Sequence, residues 1–266
     1  MITITKAKTA RIEKQVNSVK EWQNVAENAF NYRMKTVKRA TGFVQVTIPD
    51  IHHKLAGLLG INTTITNNPC CIGRRNKALK CGDCNHVCLG CYANNLMNSW
   101  MYKPAELLAM YNQHLLTSHL LAEDEIRGID LIVGKTVRFE MFGDTSNTTQ
   151  AENYVRIPRY WENNNFGVWS KNLGHYKAAF NKYGKPENLS FVKSSEHLNT
   201  VDDVKPDEWF VDVVFTVCDD VEKYNELIKQ YNGVACAGVS CMACMACYDY
   251  RRKDEKVLYV FELLRK

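Results

Sequence analysis

The sequence predicts an α/β fold, an incomplete (β/α) barrel of about six mainly parallel strands with cysteine-rich loops. Strand patterns alternate with helical patterns of about ten residues, which is typical of βαβ units and a parallel sheet. The strand count falls short of the eight strands of a closed barrel. Ten of the 11 cysteines lie in two short stretches, at 70–91 and 236–247. Because no repeat or low-complexity linker divides the chain, we expect one domain over 1–266.

The N-terminal part is predicted to be helical on both sides of one strand. Residues 1–40 form a predicted helical extension, because apolar side chains recur at a spacing of three to four between 16 and 39. Residues 43–48 alternate in polarity and are β-branched, which indicates a strand. A helical pattern covers 93–121, and Pro104 is well placed as the first residue of a second helix within it.

The rest of the chain alternates between the two element types. Three helices are predicted, at 148–161, 173–183 and 221–231. Pro158 should break or end the first of them, because proline has no backbone N–H to donate. Five strands are predicted, at 137–142, 166–170, 189–193, 209–217 and 257–263.

Polar residues follow most of these strands. In parallel α/β folds, ligands bind at the carboxyl ends of the strands. Turn residues also collect at strand ends, so the prediction of a pocket rests on their common edge rather than on any one side chain. The residues concerned are Asp144, Ser170, Asn172, Ser194, Ser195 and Cys218.

Composition excludes several classes of protein. Hydrophobic residues at 45% and charged residues at 24% are typical of a globular chain. No apolar run approaches the ~20 residues of a membrane span, and the start of the chain does not resemble a secretory leader. Clustered cysteines indicate metal coordination in a reducing cytoplasm rather than disulfides. The net charge of +5 is too small to argue for nucleic-acid binding, which stays open as a weaker alternative.

The first cysteine cluster contains Cys84-x3-Cys88-x2-Cys91. Three thiolates on one short loop can hold three corners of an iron–sulfur cluster. A zinc site pairing Cys81 with Cys84 is the alternative, although zinc ribbons commonly leave ~15–20 residues between their two knuckles. We expect Cys81 and the adjacent pair at 70–71 to be loop thiols.

A second metal segment is predicted over 232–250, where four cysteines fall within twelve residues. Compact Cys-x2-Cys-x2-Cys spacing favours an iron–sulfur cluster, and a tetrahedral zinc site is the alternative. The predicted ligands are Cys236, Cys241, Cys244 and Cys247.

The motif at 84–91 resembles the signature of radical S-adenosylmethionine (SAM) enzymes. Its Cys91-Tyr-Ala93 ending is similar to the phage-associated gene 88 protein family, and so are Val137-Arg-Phe-Glu-Met-Phe-Gly-Asp144, Val168-Trp-Ser-Lys-Asn172 and Pro186-Glu-Asn-Leu-Ser-Phe-Val-Lys-Ser194. The similarity runs in order over residues 65–250.

The resemblance implies a [4Fe-4S] cluster held by Cys84, Cys88 and Cys91, with SAM on the remaining iron. It implies an electron donor such as a flavodoxin or ferredoxin, an auxiliary cluster or structural metal in the tail, and a phage origin. Gly143-Asp144 stands where related enzymes carry Gly-Gly-Glu, so Asp144 is expected at the SAM amino group. The expected cofactor-binding residues are Gly143, Asp144, Ser170, Asn172 and Ser194.

Two functions follow as expectations. The first is a radical SAM-type enzyme of unknown substrate, in which the cofactor carries the hard chemistry and the fold orients the reactants. The second is a non-catalytic iron–sulfur or zinc protein with a structural, redox-sensing or nucleic-acid-binding role.

Overall fold

The computed structural model describes the chain over 43–49, 54–97, 103–236, 238, 240–249 and 256–264. The predicted helical extension over 1–40 lies outside these residues. Within them the protein has an α/β fold whose seven-stranded sheet is open, and all neighbouring strands are parallel. The α/β class and the parallel sheet are therefore confirmed, and the strand count of about six was too low.

The sheet is wound almost in chain order. Its strands lie in the order β1-β2-β3-β4-β5-β7-β6, so only the last two exchange places. The strands are β1 (Leu59–Ile61), β2 (Thr136–Phe139), β3 (Asn165–Ser170), β4 (Leu189–Ser194), β5 (Val213–Cys218), β6 (Val234–Ala235) and β7 (Leu258–Leu263).

Helices connect most of the strands. They are α1 (Pro69–Cys81), α2 (Tyr92–Met97), α3 (Lys103–Ser118), α4 (Glu123–Arg127), α5 (Thr148–Tyr160), α6 (Leu173–Tyr183), α7 (Val221–Tyr231) and α8 (Cys241–Cys244), and a 3₁₀ turn follows at Ala246–Tyr248. In the described part of the chain, none of the helices has the length and apolar character needed to cross a membrane.

The two faces of the sheet are covered differently. On one face, which we call the helix-covered face, strand side chains pack against α3, α5 and α6. Phe139 stacks there on Tyr154 with ring centroids 4.2 Å apart. On the opposite face, Trp169 and Val192 pack with Tyr248 and with partly buried cysteines of the C-terminal segment. The second cysteine segment therefore completes the core of this opposite face.

Three predicted strands differ from those observed. In 43–48 only Thr47 pairs, through an isolated bridge to Gly60, because the backbone of Gln45 bonds to the Asn112 side chain instead. The strand predicted over 137–142 stops at Phe139, since Glu140 adopts φ +59° and leaves the extended conformation.

The strand predicted over 209–217 starts only at Val213. A turn precedes it, closed by a hydrogen bond from the Val211 N–H to the Glu208 carbonyl. The other predicted elements after residue 148 agree with the structure to within one residue at each end. Pro158 lies in the last turn of α5, and Pro104 is the second residue of α3 rather than the first.

The interpretation of Cys70, Cys71 and Cys81 as loop thiols was wrong, because all three lie on α1. The Asn68 side chain accepts hydrogen bonds from the backbone N–H groups of Cys70 and Cys71 and so caps this helix. Gly82 ends it in the left-handed region at φ +66°. These two caps fix α1 directly before the first cysteine loop.

Candidate functional site

Asp144 is the centre of a polar network beyond the carboxyl ends of β2 and β3. It is 6% exposed, and its carboxylate accepts hydrogen bonds from the Ser170 hydroxyl at 2.6 Å and from the backbone N–H groups of Thr145 at 2.8 Å and Lys171 at 3.2 Å. Arg74 of α1 approaches the same carboxylate to 3.5 Å. Four donors thus saturate the oxygens of Asp144.

Arg74 connects this network to the segment after β4. Its guanidinium donates to the Asn172 side-chain oxygen at 2.6 Å, to the Lys171 carbonyl at 2.9 Å and to the Glu196 carboxylate at 3.0 Å. The Asn172 N–H donates in turn to the Ser170 hydroxyl. The structure therefore brings Asp144, Ser170 and Asn172 together as predicted, through an arginine that was not among the predicted site residues.

Gly143 contributes a backbone conformation that other residues rarely adopt. Its φ is +100°, and a Cβ at this position would lie 2.6 Å from the Thr63 carbonyl oxygen and 2.7 Å from a Glu140 carboxylate oxygen. Only glycine fits this conformation and this gap. Glu140 is itself buried and accepts hydrogen bonds from Thr63, Gln150 and Tyr154.

Ser194 does not join the Asp144 network in the described part of the chain. Its side chain lies on the same side of β4 as those of Ser190 and Val192, which face away from the helices. The prediction that Ser194 shares the site with Asp144 is therefore not supported by its position. The reason is that successive side chains of a strand point to opposite faces of the sheet.

The first cysteine loop, residues 82–91, is docked on the segment after β4. The Val87 N–H donates to the Glu196 carbonyl at 2.9 Å, and the Leu198 N–H donates to the Asn85 carbonyl at 2.8 Å. Glu196 also accepts from Arg74, so the loop and the polar network share one anchor. The loop therefore lies beside the carboxyl edge of the sheet, where ligands bind in parallel α/β folds.

The three predicted ligands on this loop differ in exposure. Cys84 is exposed, whereas Cys88 and Cys91 are partly buried. Burial raises the pKa of the Cys88 thiol, and the positive charges of Lys171 and Arg74 oppose that rise. These two cations would stabilise a thiolate or a negatively charged cluster here.

Cys71 of α1 lies near the same thiols. Burial raises its pKa well above the usual range, and Asp144, Cys88 and Cys91 add to the rise. Cys71 is therefore a neighbour of the predicted ligands that was expected to be a loop thiol without a role. The sequence signal for this position was Asn68-Pro69, a helix cap followed by a first-turn proline, which places Cys71 in the first turn of a helix.

The donor set suits iron–sulfur chemistry, because thiolates at short spacing are the ligands of such clusters. Nevertheless, among the described residues no three His, Cys, Asp or Glu side chains converge closely enough to hold a metal ion. The loop thus has the donors and a fixed position at the sheet edge, and its sulfur atoms do not form a closed ligand set in this structure.

The second cysteine segment lies on the opposite face. The Cys247 carbonyl accepts a hydrogen bond from the Ser190 hydroxyl at 3.0 Å, and the Cys241 N–H donates to the Lys54 carbonyl at 2.8 Å. Cys236 continues β6, and its N–H donates to the Phe261 carbonyl at 2.7 Å. Three hydrogen bonds of its backbone thus hold this segment against β4, β7 and the chain before β1.

Exposure and charge vary within this segment. Cys244 is exposed, and the other three cysteines are partly buried. Burial raises the pKa of Cys247 to about 12, with Arg138 opposing the rise. Cys218, by contrast, is buried with Leu227 and Phe261 between β5 and α7. Cys218 is therefore a core residue.

No model of a known protein family matches this chain, and neither a curated protein nor a solved structure is similar to it.

Proposed function

We propose that the protein is an iron–sulfur protein of radical SAM type, in which Cys84, Cys88 and Cys91 hold a [4Fe-4S] cluster. The docking of the 82–91 loop beside the Asp144 network carries the proposal. That loop supplies three thiols next to polar strand ends and next to the cations Arg74 and Lys171. When bound, the cluster would supply one-electron chemistry.

The winding of the sheet supports an incomplete (β/α) barrel. Strands β1 to β5 follow one another in chain order, and α3, α5 and α6 pack on one face. A doubly wound sheet would instead reverse its strand order and carry helices on both faces. The remaining face carries the C-terminal cysteine segment.

Within this proposal SAM would bind beside the cysteine loop, near Gly143, Ser170 and Asn172. Asp144 has a positioning role, because its carboxylate already accepts four hydrogen bonds from the protein. An electron donor such as a flavodoxin or ferredoxin would reduce the cluster. The described cysteines are free thiols, in keeping with a reducing cytoplasm.

Anaerobic reconstitution of the full chain with iron and sulfide tests the proposal, followed by addition of dithionite and SAM. We expect bound iron and sulfide, and formation of 5′-deoxyadenosine. Cys84→Ser, Cys88→Ser and Cys91→Ser should each lose the cluster at this loop. Cys81→Ser is the matched control, since the exposed Cys81 is needed only if the loop forms a zinc site.

The saturation of Asp144 favours a second candidate, a non-catalytic iron–sulfur or zinc protein. A carboxylate whose acceptors are all used within the protein has none left for a cofactor amine. A loaded cluster that forms no 5′-deoxyadenosine would select the non-catalytic function. If the protein instead binds zinc and no iron, and Cys81→Ser loses that zinc, the first loop is a zinc site.

A further inference from the structure

Arg138 of β2 lies on the opposite face of the sheet, under the second cysteine segment. In the strand register it pairs with Gly167 of β3, which pairs with Ser190 of β4. These three residues form one row across the sheet. The Arg138 guanidinium stacks over the Trp169 ring at 3.9 Å from its centroid, an arrangement favoured by cation–π attraction.

The C-terminal segment covers this same row. Ser190 donates to the Cys247 carbonyl, and the Tyr248 ring lies so close to Gly167 that a Cβ there would be 2.7 Å from it. Tyr248 also packs on Trp169 with centroids 5.0 Å apart. The segment therefore lies directly over the strand positions next to Arg138.

Arg138 has no carboxylate partner among the described residues. Its Nε is buried and makes no hydrogen bond. The Tyr248 hydroxyl lies close to the guanidinium, but burial raises the pKa of that phenol, so it brings no negative charge. Lys54 on the same side of the sheet differs, because it pairs with Glu262. Arg138 is partly buried, and leaving its buried Nε–H without an acceptor is costly, so an acceptor with negative charge is expected to face it.

The nearby groups that can become negative are the thiols of the second segment. Cys241 and Cys247 pack in the same apolar cluster as Trp169, the ring on which Arg138 stacks. Four thiolates around one Zn²⁺ ion or one iron–sulfur cluster carry a net negative charge. Such a centre would supply the missing countercharge.

We propose that Arg138 is the internal counter-cation of a metal–thiolate centre formed by Cys236, Cys241, Cys244 and Cys247. As a positioning residue, it stabilises the negative centre by its charge and offers its unpartnered Nε–H to a sulfur acceptor. The inference rests on the second metal site of the proposed function and does not depend on the first.

Titration with Co²⁺ alone tests this in a full-length Cys84→Ser/Cys88→Ser/Cys91→Ser background, where the first loop cannot contribute. Thiolate-to-cobalt absorption bands report binding. Arg138→Gln keeps a hydrogen-bond donor and removes the charge, and we expect an affinity at least ~10-fold weaker, as for other groups that support metal ligands. Arg138→Lys keeps the charge and should retain most of the affinity.

Arg127→Met is the matched control, because Arg127 also stacks on an aromatic ring, that of Tyr160 at 5.3 Å, but is an exposed residue of α4. It should bind Co²⁺ like the parent. Equal affinity of Arg138→Gln and the parent would overturn the proposal. Absence of Co²⁺ binding in the parent would overturn the second site and this inference together, while leaving the SAM assay at the first loop intact.

Thermal unfolding without metal separates charge compensation from a merely structural role. Metal-free Arg138→Gln should unfold at a temperature no lower than the parent, since the lost stacking on Trp169 is offset by removal of a partly buried charge that has no carboxylate partner among the described residues. A lower unfolding temperature combined with unchanged Co²⁺ affinity would show that Arg138 only packs, and would refute the inference.

Discussion

Glu140 is a buried carboxylate that ends β2. Its backbone lies in the left-handed region at φ +59°, which is uncommon for a residue with a side chain. Four donor groups from Thr63, Gln150 and Tyr154 hold the carboxylate. Burial is the larger influence, however, and raises the pKa of Glu140 to about 7. The carboxyl group therefore binds a proton more tightly in the folded chain than in the unfolded chain.

This shift predicts a pH dependence of stability. The stabilising contribution of protonated Glu140 is full below pH 4.5 and is lost as pH rises through about 7. The total change is on the order of 3 kcal/mol, at about 1.4 kcal/mol per pKa unit. Relative to Glu140→Gln, the parent should therefore lose stability between these pH values.

Denaturant unfolding of both proteins at several pH values measures this difference. Glu152→Gln is the control, because Glu152 pairs with Lys182 near the protein surface. A constant difference between the parent and Glu140→Gln across this range would contradict the prediction.

Sequence patterns located some site residues better than others. Asp144, Ser170 and Asn172 were predictable, because strand ends in a parallel sheet meet at one edge. Arg138 and Glu140 were not, since both charges lie within the apolar run at 137–142 and a strand pattern does not show which of its polar residues is buried. A charged residue inside an apolar strand pattern indicates a buried charge that needs a partner, and this feature could have identified both residues.

Gly167 of β3 illustrates how one position holds two elements together. The Tyr248 ring packs against it, and a Cβ would lie 2.7 Å from that ring. Gly167→Ala should therefore displace the 3₁₀ turn at Ala246–Tyr248 from the sheet. We expect a loss of about 1–3 kcal/mol from overpacking and weaker Co²⁺ binding by the second segment.

Gly174→Ala is the matched control for this change. Gly174 lies in α6, where an added Cβ meets nothing within 4 Å, so alanine should stabilise the helix by up to about 1 kcal/mol. Chemical denaturation and Co²⁺ titration of the two variants give the comparison. Unchanged stability and binding in Gly167→Ala would show that the turn does not depend on this contact.

Long elements with regular patterns were predicted well, and capped or short ones were missed. The helices at 173–183 and 221–231 were correct at both ends. Helix α1 was missed because its cysteines and polar residues do not form a clear apolar stripe, although Asn68, Pro69 and Gly82 are good start and stop signals. Strands β1 and β6 have only three and two residues, which is too short for an alternating pattern.

The second cysteine segment joins distant parts of the sheet. It contacts β4 through Ser190 and β7 through Phe261, and it reaches the chain before β1 at Lys54. Metal bound to this segment should therefore stabilise the fold as a unit. At a free metal concentration 100 times the dissociation constant the gain is ~2.7 kcal/mol.

For a chain of this size, such a gain corresponds to a rise in unfolding temperature of roughly 5–10 °C. Anaerobic thermal unfolding with Co²⁺, followed by a chelator, measures it. The double variant Cys241→Ser/Cys244→Ser should show no rise. An equal rise in this variant would place the stabilising metal elsewhere.

The exchange of β6 and β7 in the sheet sets an order of events during synthesis. Strand β6 leaves the ribosome before β7, yet it pairs only with β7, which lies between it and β5. Cys236, which follows β6, therefore gains its backbone partner, the Phe261 carbonyl, only after the last strand has been made and inserted. A nascent chain that stops before residue 257 would hold this segment through Ser190 and Lys54 but leave Cys236 without its partner on β7, so the metal loading proposed for this segment belongs to the finished chain.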